Sequence, residues 1–301
     1  MNDWYHEKQV QVKAFLGSYG RVTLLMVLVL ITLAGLLSLV LLLSPTTLRV
    51  SFLDVGQGDA ILIQTPSGHD MLVDGGADGK VLERVASQLS YFDRTIDVVV
   101  ATHGDADHVT GLIPILKKYD VGHVVMSPIK SETGIFSELE KSVRSENAIV
   151  HVGKKGDVID FGDGVVVHIL YPSGTFHGSN TDTNAASVSM VITYGDESVL
   201  LTGDLPSSHE DELIGSVLPK KVTIYKAGHH GSKSSSGDQL LSYITPEYSV
   251  ISAGKDNRYG HPNSEALTRL TTYSQEVLST IDRGTITFTL DGISADIQTT
   301  K

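Results

Sequence analysis

Three patterns of apolar and polar positions follow one another along this 301-residue chain. The first is an uncharged stretch from Val22 to Leu43, interrupted only by Thr, Ser and Gly residues. A helix rises about 1.5 Å per residue, so this stretch spans the roughly 30 Å hydrocarbon core of a bilayer. It predicts a transmembrane helix, residues 22–43, preceded by a short N-terminal segment, residues 1–21.

The second pattern fills residues 44–301, where short β-branched segments alternate with segments of helical spacing. Strands are predicted at residues 49–54, 60–65, 70–74, 96–102, 122–126, 165–171, 187–194, 198–202, 222–226, 248–252, 276–280 and 285–290. Helices are predicted at residues 79–91, 109–119, 131–145, 207–217, 237–244 and 264–274. Such alternation is typical of an α/β layered fold, and no repeat or linker divides these residues. We expect one domain over residues 44–301.

The third pattern is a set of His and Asp residues placed directly after predicted strands. Its densest part is the run from Thr102 to His108 (THGDADH), which has four potential metal ligands. The run lies at a strand-to-helix turn, where alternate side chains can converge on one point. Imidazole and carboxylate together suit zinc, manganese or iron(II). The run predicts a metal site, and the alternative is a polar turn with an Asp helix cap.

Other strand ends offer further ligands. Asp74 and Asp204 each follow an apolar segment and adjoin Gly residues, which permit a tight turn. His229 and His230 follow another apolar segment, and His261 comes shortly after the next one. Any one of these residues alone is more often a turn former than a ligand, but together they extend the metal-site hypothesis.

These motifs, in this order, resemble the metallo-β-lactamase superfamily, and within it the hydrolase domain of ComEC-type DNA-uptake proteins. The resemblance runs from about Leu48 to Asp291. Its motifs are FLDVGQGDA (52–60), LVDGG (72–76), HGDADH (103–108), LTGD (201–204), HHGSK (229–233) and NRYGHP (257–262). The resemblance implies an αββα sandwich with a two-metal hydrolytic site along one edge of the sheets.

The family pattern, transferred position by position, implies His103 and Asp105 as ligands of one ion, and Asp107 and His108 as ligands of the other. Asp204 would bridge the two ions. Asp107 would also orient or deprotonate the attacking water. The implied cofactors are two divalent metal ions, manganese or zinc, with magnesium as a further candidate.

His230 or its neighbour His229 would complete the second ion's ligands, and the sequence leaves both open. Asp74 is similar to the family Asp that orients the ligands from behind. Asp105 replaces a usual His, which favours oxygen-preferring manganese or magnesium. The family's next His ligand has no counterpart here, and Asn184 or Asp182 would substitute for it. We therefore expect the first ion to bind weakly, or only when substrate arrives.

Phosphodiester hydrolysis is the reaction that such a site implies. Two divalent ions roughly 3.5–4 Å apart activate a water and stabilise the attacking and leaving oxygens of an in-line displacement. His261 is a candidate general acid or substrate contact, and the alternative is that it only packs. The Gly- and Ser-rich residues 172–180 are a candidate mobile flap, in which His177 is either a substrate contact or an ordinary loop residue.

The charge distribution restricts the substrate. The formal net charge is −12, and residues 1–43 hold three basic and two acidic side chains, so the remainder carries −13. A general basic face for nucleic acid is therefore not expected. Residues 220–258, in contrast, hold six basic and three acidic side chains, and this segment contains the late ligands. Ser232, Lys233 and Arg258 are its candidates for binding an anionic phosphodiester substrate.

Nuclease activity on DNA is the leading hypothesis, because the resemblance implies it. DNA uptake is not part of that hypothesis, since no channel segment is expected beside the domain. One alternative is a phosphodiesterase of a cell-envelope polymer, such as teichoic acid or choline phosphate. Asp105 and the local basic segment disfavour a lactonase or β-lactamase. The missing His ligand supports a further alternative, a non-catalytic, metal-stabilised binding module.

The basic residues around the apolar stretch predict its orientation. Three precede it, and Arg49 is the only one between residues 44 and 79. By the positive-inside rule the N-terminus is cytoplasmic and the hydrolase domain is extracytoplasmic. Residues 44–47 span at most about 14 Å, which would keep the domain close to the cell membrane. The absence of Cys is compatible with that compartment, and no protein partner is indicated.

Overall fold

The computed structural model describes residues 2–43, 46–174, 182–215 and 217–301. It separates into two compact units, Met1–Pro45 and Thr46–Lys301. Helix α1, Asn2–Leu43, makes up the described part of the first unit, so the predicted N-terminal segment is helical as well. Within α1, Tyr19–Leu39 has a mean hydropathy of 2.7 and is long and apolar enough to cross a membrane.

The second unit alternates strands with helices, as the sequence pattern predicts. Its described strands are β1 Leu48–Phe52, β2 Ile61–Gln64, β3 Asp70–Val73, β4 Thr95–Ala101, β5 Asp120–Met126, β6 Ile149–Val152, β7 Val158–Asp160, β8 Val165–Tyr171, β9 Ser189–Tyr194, β10 Glu197–Leu201, β11 Ile224–Lys226, β12 Tyr248–Ile251, β13 Glu276–Ser279, β14 Ile286–Leu290 and β15 Ala295–Thr299. Its described α-helices are α2 Lys80–Gln88, α3 Ala106–Val109, α4 Leu112–Leu116, α5 Gly134–Glu146, α6 Asp238–Ile244, α7 Ser264–Tyr273 and α8 Thr280–Arg283.

Two sheets face each other in this unit. One has the strand order β15-β14-β1-β2-β3-β4-β5-β6, and the other β13-β12-β11-β10-β9-β8-β7. A single buried cluster of Val, Ile, Leu, Phe and Met side chains, contributed by both sheets, fills the space between them. Helices α2, α4 and α5 bury their apolar faces on the outside of the first sheet, and α6 and α7 on the outside of the second. The predicted αββα sandwich is confirmed.

All twelve predicted strands are present, with ends shifted by two residues or fewer. Three further strands, β6, β7 and β15, were not predicted. All three are edge strands. Every residue of β6 is exposed, and β7 and β15 have no buried residue. An edge strand with little burial lacks the apolar alternation that identifies a strand in a sequence.

Two helix predictions need correction. The helix predicted at residues 109–119 is divided into α3 and α4, because the Gly111 N–H donates to the Gly76 carbonyl oxygen at 3.1 Å instead of to the preceding helical turn. This close approach requires Gly, since a Cβ at Gly111 would lie 1.9 Å from the Gly75 carbonyl oxygen. The helix predicted at residues 207–217 is instead a 3₁₀ helix, Ser207–Leu213. Its Glu210 turns inward and accepts hydrogen bonds from the N–H groups of Ser236 and Gly237.

Strand direction brings the chemically important loops together. β3 and β4 are parallel, with Met71 opposite Val98, and β10 and β11 are parallel, with Val199 opposite Ile224. The C-terminal ends of parallel neighbours lie at the same edge of a sheet. The two pairs end at the same edge of the sandwich, because His108, which follows β4, lies 3.3 Å from Asp204, which follows β10. Most of the predicted flap at residues 172–180, including His177, lies outside the described residues.

Replacing Phe288 with Ala tests the packing between the sheets. Its buried ring contacts the rings of Phe52 and Tyr248, at centroid distances of 6.0 and 5.4 Å. The cavity left by Phe288→Ala is expected to lower the free energy of unfolding by about 3–5 kcal/mol, measured by urea denaturation. Phe92→Ala, at a side chain that is 87% exposed, is the control and should change it by less than about 0.5 kcal/mol. Equal effects of the two variants would contradict this packing.

Candidate metal centre

Three imidazoles converge at this edge. His108 Nε2 lies 3.2 Å from His230 Nε2, and both rings are buried. Asp204 faces them, with Oδ1 3.3 Å from His108 Nε2 and Oδ2 3.5 Å from His230 Nε2. His103 Nε2 lies 3.9 Å from Asp204 Oδ2, is buried, and has no hydrogen-bond partner among the described residues. The Asp204 carboxylate thus lies within 3.9 Å of the Nε2 atoms of all three rings, and its bridging role stays a prediction.

The Nδ1 atom of each of these three rings contacts a polar group. His108 Nδ1 lies 2.8 Å from Asp74 Oδ2, and His230 Nδ1 donates to the carbonyl oxygen of Ser252 at 3.0 Å. The Thr102 hydroxyl donates to Asp74 Oδ2 at 2.7 Å and therefore accepts from His103 Nδ1 at 3.0 Å. Such contacts fix the ring orientation and leave Nε2 to bind a metal. Asp74 contacts both His108 and Thr102, and its role in orienting metal ligands stays a prediction.

The electrostatic balance of the cluster favours a cation. Although burial alone would lower it, the pKa of His108 is raised well above its ordinary value by Asp204 and Asp74. Asp204 and Asp59 likewise outweigh burial and raise the pKa of His230 to about 9. The pKa of Asp204 is held well below its usual range, against the effect of burial, by His230 and His108. The carboxylates thus favour positive charge at the imidazoles, and a divalent ion that displaces the imidazole protons would supply that charge.

His230 is the better placed of the two adjacent histidines. Both residues have left-handed backbone conformations, with φ of 47° at His229 and 56° at His230. His230 is buried in the cluster, whereas the His229 side chain is 27% exposed, with Nε2 3.4 Å from Asp204 Oδ2. The four-residue group that could hold an ion contains His230, His108, Asp204 and Asp59. His229 lines the cleft beside this group.

Asp105 and Asp107 are more exposed than the cluster. The Asp107 side chain is 22% exposed, with Oδ2 3.4 Å from His230 Nε2, and the Asp105 side chain is 42% exposed, with Oδ2 3.9 Å from His103 Nε2. Against the effect of burial, His230 and His108 hold the pKa of Asp107 well below its usual range. The distances around His103 are longer than those around His108 and His230, and the weaker first metal site stays a prediction.

The segment that replaces the family's missing His lies beside Asp105. The hydroxyl of Thr183 donates to Asp105 Oδ1. Asn184 Oδ1 is buried and has no hydrogen-bond partner among the described residues, and Asp182 is exposed. Neither Asn184 nor Asp182 belongs to the four-residue group. The ligand role of Asn184 stays a prediction, and Thr183 is a contact that sequence reasoning missed.

The predicted substrate-binding residues surround the cleft to different degrees. His261 lines it together with Tyr259, and the two rings stack with a centroid distance of 5.7 Å. Arg258 donates to the Tyr259 hydroxyl at 2.6 Å and is exposed to solvent. Ser232 is buried and contacts the Ser234 hydroxyl, whereas the Lys233 side chain is exposed and does not line the cleft. The roles of these four predicted residues in binding substrate stay predictions.

Comparison with known families agrees with this geometry. Residues 53–255 match the model of the metallo-beta-lactamase superfamily. The chain belongs to the metallo-β-lactamase superfamily. Its sandwich also aligns with a solved structure of a CmlA beta-hydroxylase mutant, with a TM-score of 0.50, 15% identity, and coverage of 81% of this chain and 54% of that one. That likeness concerns the fold alone.

Curated relatives of this metallo-β-lactamase superfamily member resemble most of the chain. ComE operon protein 3 of Bacillus subtilis is 29% identical, over 80% of this chain and 33% of that protein. Recombination protein 2 of Haemophilus influenzae is 29% identical, over 81% of this chain and 29% of that protein. Competence protein ComA of Neisseria gonorrhoeae is 28% identical, over 80% of this chain and 32% of that protein. The chain spans about a third of the length of these relatives.

A buried ion pair behind the metallo-β-lactamase cluster was not predicted. Lys226, at the end of β11, is fully buried, and its Nζ lies 2.8 Å from Asp59 Oδ2 and 2.9 Å from the Ala227 carbonyl oxygen. Asp59 Oδ1 lies 3.2 Å from His230 Nδ1. Because one carboxylate oxygen faces Lys226 and the other faces the rear nitrogen of His230, Asp59 links the ion pair to the cluster. In the sequence, the indication of this pair is that Lys226, a charged residue, ends the apolar segment VTIYK.

Gly58 explains why Asp59 can lie so close to the metal run. Its φ is +117°, and a Cβ there would lie 2.0 Å from the Asp107 carbonyl oxygen. The same oxygen accepts a hydrogen bond from Asp59 N at 3.3 Å. Glycine alone permits this approach. The loop of the FLDVGQGDA motif therefore packs directly on the run that supplies the predicted ligands.

Lys226→Met should lower the free energy of unfolding by about 3–5 kcal/mol, because it leaves the Asp59 carboxylate buried without its partner. The double variant Lys226→Met/Asp59→Asn removes both charges and should cost less than the sum of the two single variants. Urea denaturation of the four proteins gives the coupling energy, expected at roughly 0.5–3 kcal/mol. Additive effects would contradict a direct interaction between the two side chains.

Proposed function

We propose that this protein is a membrane-anchored, metal-dependent phosphodiesterase whose main substrate is DNA. The observation that supports this most strongly is the convergence of His103, His108 and His230 on Asp204, with each ring held through its rear nitrogen. A purely structural ion would need closed coordination, whereas this group lies beside a cleft lined by Asp107 and other polar residues.

Two divalent ions, manganese or zinc with magnesium as a further candidate, are the proposed cofactors. His103, Asp105 and Asp204 would hold one, and His108, His230, Asp204 and Asp107 the other. When bound, they supply Lewis-acid stabilisation of the charge that develops on the phosphoryl oxygens. The carboxylate of Asp105, in place of imidazole, favours manganese or magnesium at the first position.

Asp107 is proposed to position the attacking water. It lies at the boundary between the buried cluster and the cleft, with its side chain 22% exposed. Its low pKa keeps it ionised, so that it accepts a hydrogen bond from the water. A weakly basic carboxylate of this kind orients a water more effectively than it takes a proton from it.

The other side of the cleft is proposed to bind the phosphodiester. Burial and the neighbouring His229 lower the pKa of His261, and its Nδ1 has no hydrogen-bond partner among the described residues. A neutral imidazole of this kind suits a substrate contact better than a general acid. Arg258 stacks over Tyr259, with its guanidinium carbon 4.8 Å from the ring centroid, and offers a solvent-facing cation for phosphate.

DNA is the proposed substrate on two grounds. The motifs resemble ComEC-type hydrolase domains, and the relatives are named for competence and for recombination. An envelope phosphodiester, such as teichoic acid or choline phosphate, is the second candidate. The apolar helix α1 favours it, because a membrane anchor would bring the enzyme to envelope polymers. The proposed orientation places the N-terminus in the cytoplasm and the hydrolase domain outside.

The direct test is cleavage of labelled single-stranded DNA by the full chain in detergent, with manganese, zinc or magnesium added. Asp107→Ala should lower kcat/KM by roughly 10²–10⁴-fold, since it removes the group that orients the water. Asp296→Ala, at an exposed carboxylate on β15, is the charge-matched control and should cut like the parent protein. Thermal melting of each variant shows whether the loss comes from unfolding.

Other outcomes would redirect the proposal. If the metal-loaded protein leaves DNA intact but hydrolyses a choline-phosphate or teichoic-acid phosphodiester, the envelope substrate replaces DNA. Hydrolysis of a chromogenic lactam or lactone, without phosphodiester cleavage, would contradict phosphoryl chemistry. Metal binding with no hydrolysis of any of these substrates would leave a metal-stabilised binding module.

A further inference from the structure

Three hydrophobic side chains of the unit Thr46–Lys301 are much more exposed than the rest. Phe92 is 87% exposed, Ile293 83% and Tyr91 80%, whereas the next large hydrophobic side chain described there, Ile149, is 58% exposed. Tyr91 and Phe92 pack edge to face, with a centroid distance of 5.1 Å, and together present one aromatic tip. Contiguous exposed apolar surface marks contacts with partners or membranes, whereas isolated exposed side chains are common.

Ile293 lies beside the point where the chain enters this unit. Leu48, the first residue of β1, pairs with Leu290, the last residue of β14, so the turn that contains Ile293 adjoins the start of β1. The Tyr194 hydroxyl donates to the Thr46 carbonyl oxygen at 2.5 Å. The turn that follows Tyr194 is joined to the Ile293 turn, because Asp196 N donates to the Gly292 carbonyl oxygen at 2.9 Å.

Tyr91 and Phe92 lie at the same edge of the sheet, on the other side of the entering chain. They follow α2, whose last residue, Gln88, accepts a hydrogen bond from Arg49 Nη2 at 3.2 Å. They also precede β4, which is three strands from β1, or roughly 14 Å at the usual strand spacing. The strand at which the chain enters is therefore flanked by an aromatic tip on one side and by Ile293 on the other.

The part of the chain that precedes Thr46 indicates what this surface contacts. Only two residues separate α1 from Thr46, and α1 contains the apolar segment Tyr19–Leu39. A bilayer crossed by that segment would lie within about 17 Å of Thr46 along the chain, counting four further helical residues and three extended steps. Aromatic and aliphatic side chains are stable in the interfacial layer of a membrane. We propose that Tyr91, Phe92 and Ile293 insert into the lipid interface, a proposal that rests on the membrane anchoring proposed above.

This contact determines where substrate can be bound. The metal cluster lies beyond the opposite ends of the strands: β4 runs from Thr95 to Ala101, and His103 follows it. Seven residues of strand cover roughly 20 Å. The cleft would thus face away from the lipid and take its phosphodiester from the aqueous side, which favours a polymer over a lipid headgroup.

The chain has no Cys, so single-Cys variants can be labelled without background. Phe92→Cys and Ile293→Cys report on the proposed surface, and Ile135→Cys is the matched control. Ile135 is 37% exposed in the first turn of α5, next to Phe136, which packs on Gly104 of the metal run. Leu30→Cys, within α1, reports on the anchor. Each variant of the full chain is labelled with an environment-sensitive fluorophore and reconstituted into phosphatidylcholine vesicles, with and without doxyl-labelled lipid as quencher.

Labels at residues 30, 92 and 293 should shift to shorter emission wavelength and lose most of their fluorescence to the quencher, while the label at residue 135 should change little. Quenching at residue 30 alone would overturn the lipid contact and leave the anchor intact. No quenching at residue 30 would overturn the anchoring and the contact together. A blue shift at residues 92 and 293 without quenching would assign the surface to a second protein copy and overturn the lipid proposal.

Discussion

Three buried carboxylates, those of Asp59, Asp74 and Asp204, lie at one edge of the sandwich, and the arrangement around them depends on how their charge is balanced. An unpaired charge in a protein interior costs several kcal/mol, so each carboxylate requires a cation or donors beside it. Lys226 faces Asp59, and the Thr102 amide, the Thr102 hydroxyl and His108 face Asp74. The ion-pair partners of Asp204 among the described residues are imidazoles, and the carboxylate of Asp107 lies in the same cleft, so this position favours a bound cation.

The fold makes this concentration of charge possible. Parallel pairs of strands from both sheets end at the same edge, so four loops from distant parts of the sequence contribute to one site. The backbone makes room for the polar groups where Gly58 and Gly111 approach neighbouring carbonyl groups more closely than a Cβ would allow. The apolar core between the sheets holds these loops in place, and the opposite edge of the same sheet remains available for other contacts.

The sequence predicted the elements that bury an apolar face and the residues that belong to a recognisable motif. The central strands were predictable because local pattern encodes them, and the imidazole and carboxylate residues because their motifs resemble those of a known family. The edge strands β6, β7 and β15 were not predictable. They have no buried residue, so their sequences lack the alternation of apolar and polar positions that identifies a strand. Asp59 and Lys226 are 167 positions apart, and only tertiary structure shows that they pair. Whether His229 or His230 lies inside the cluster depends on two adjacent left-handed backbone conformations, which no local sequence pattern predicts.

We propose that the imidazoles of His103, His108 and His230, together with Asp204, hold the divalent ions used in catalysis. The most direct measurement is anomalous diffraction from a crystal of the full chain grown with manganese. We expect a strong peak near His108 Nε2, His230 Nε2 and Asp204, with a second, weaker peak beside His103 and Asp105. A fully ordered cluster with no anomalous density among these atoms, or a peak only at an unrelated surface, would contradict it.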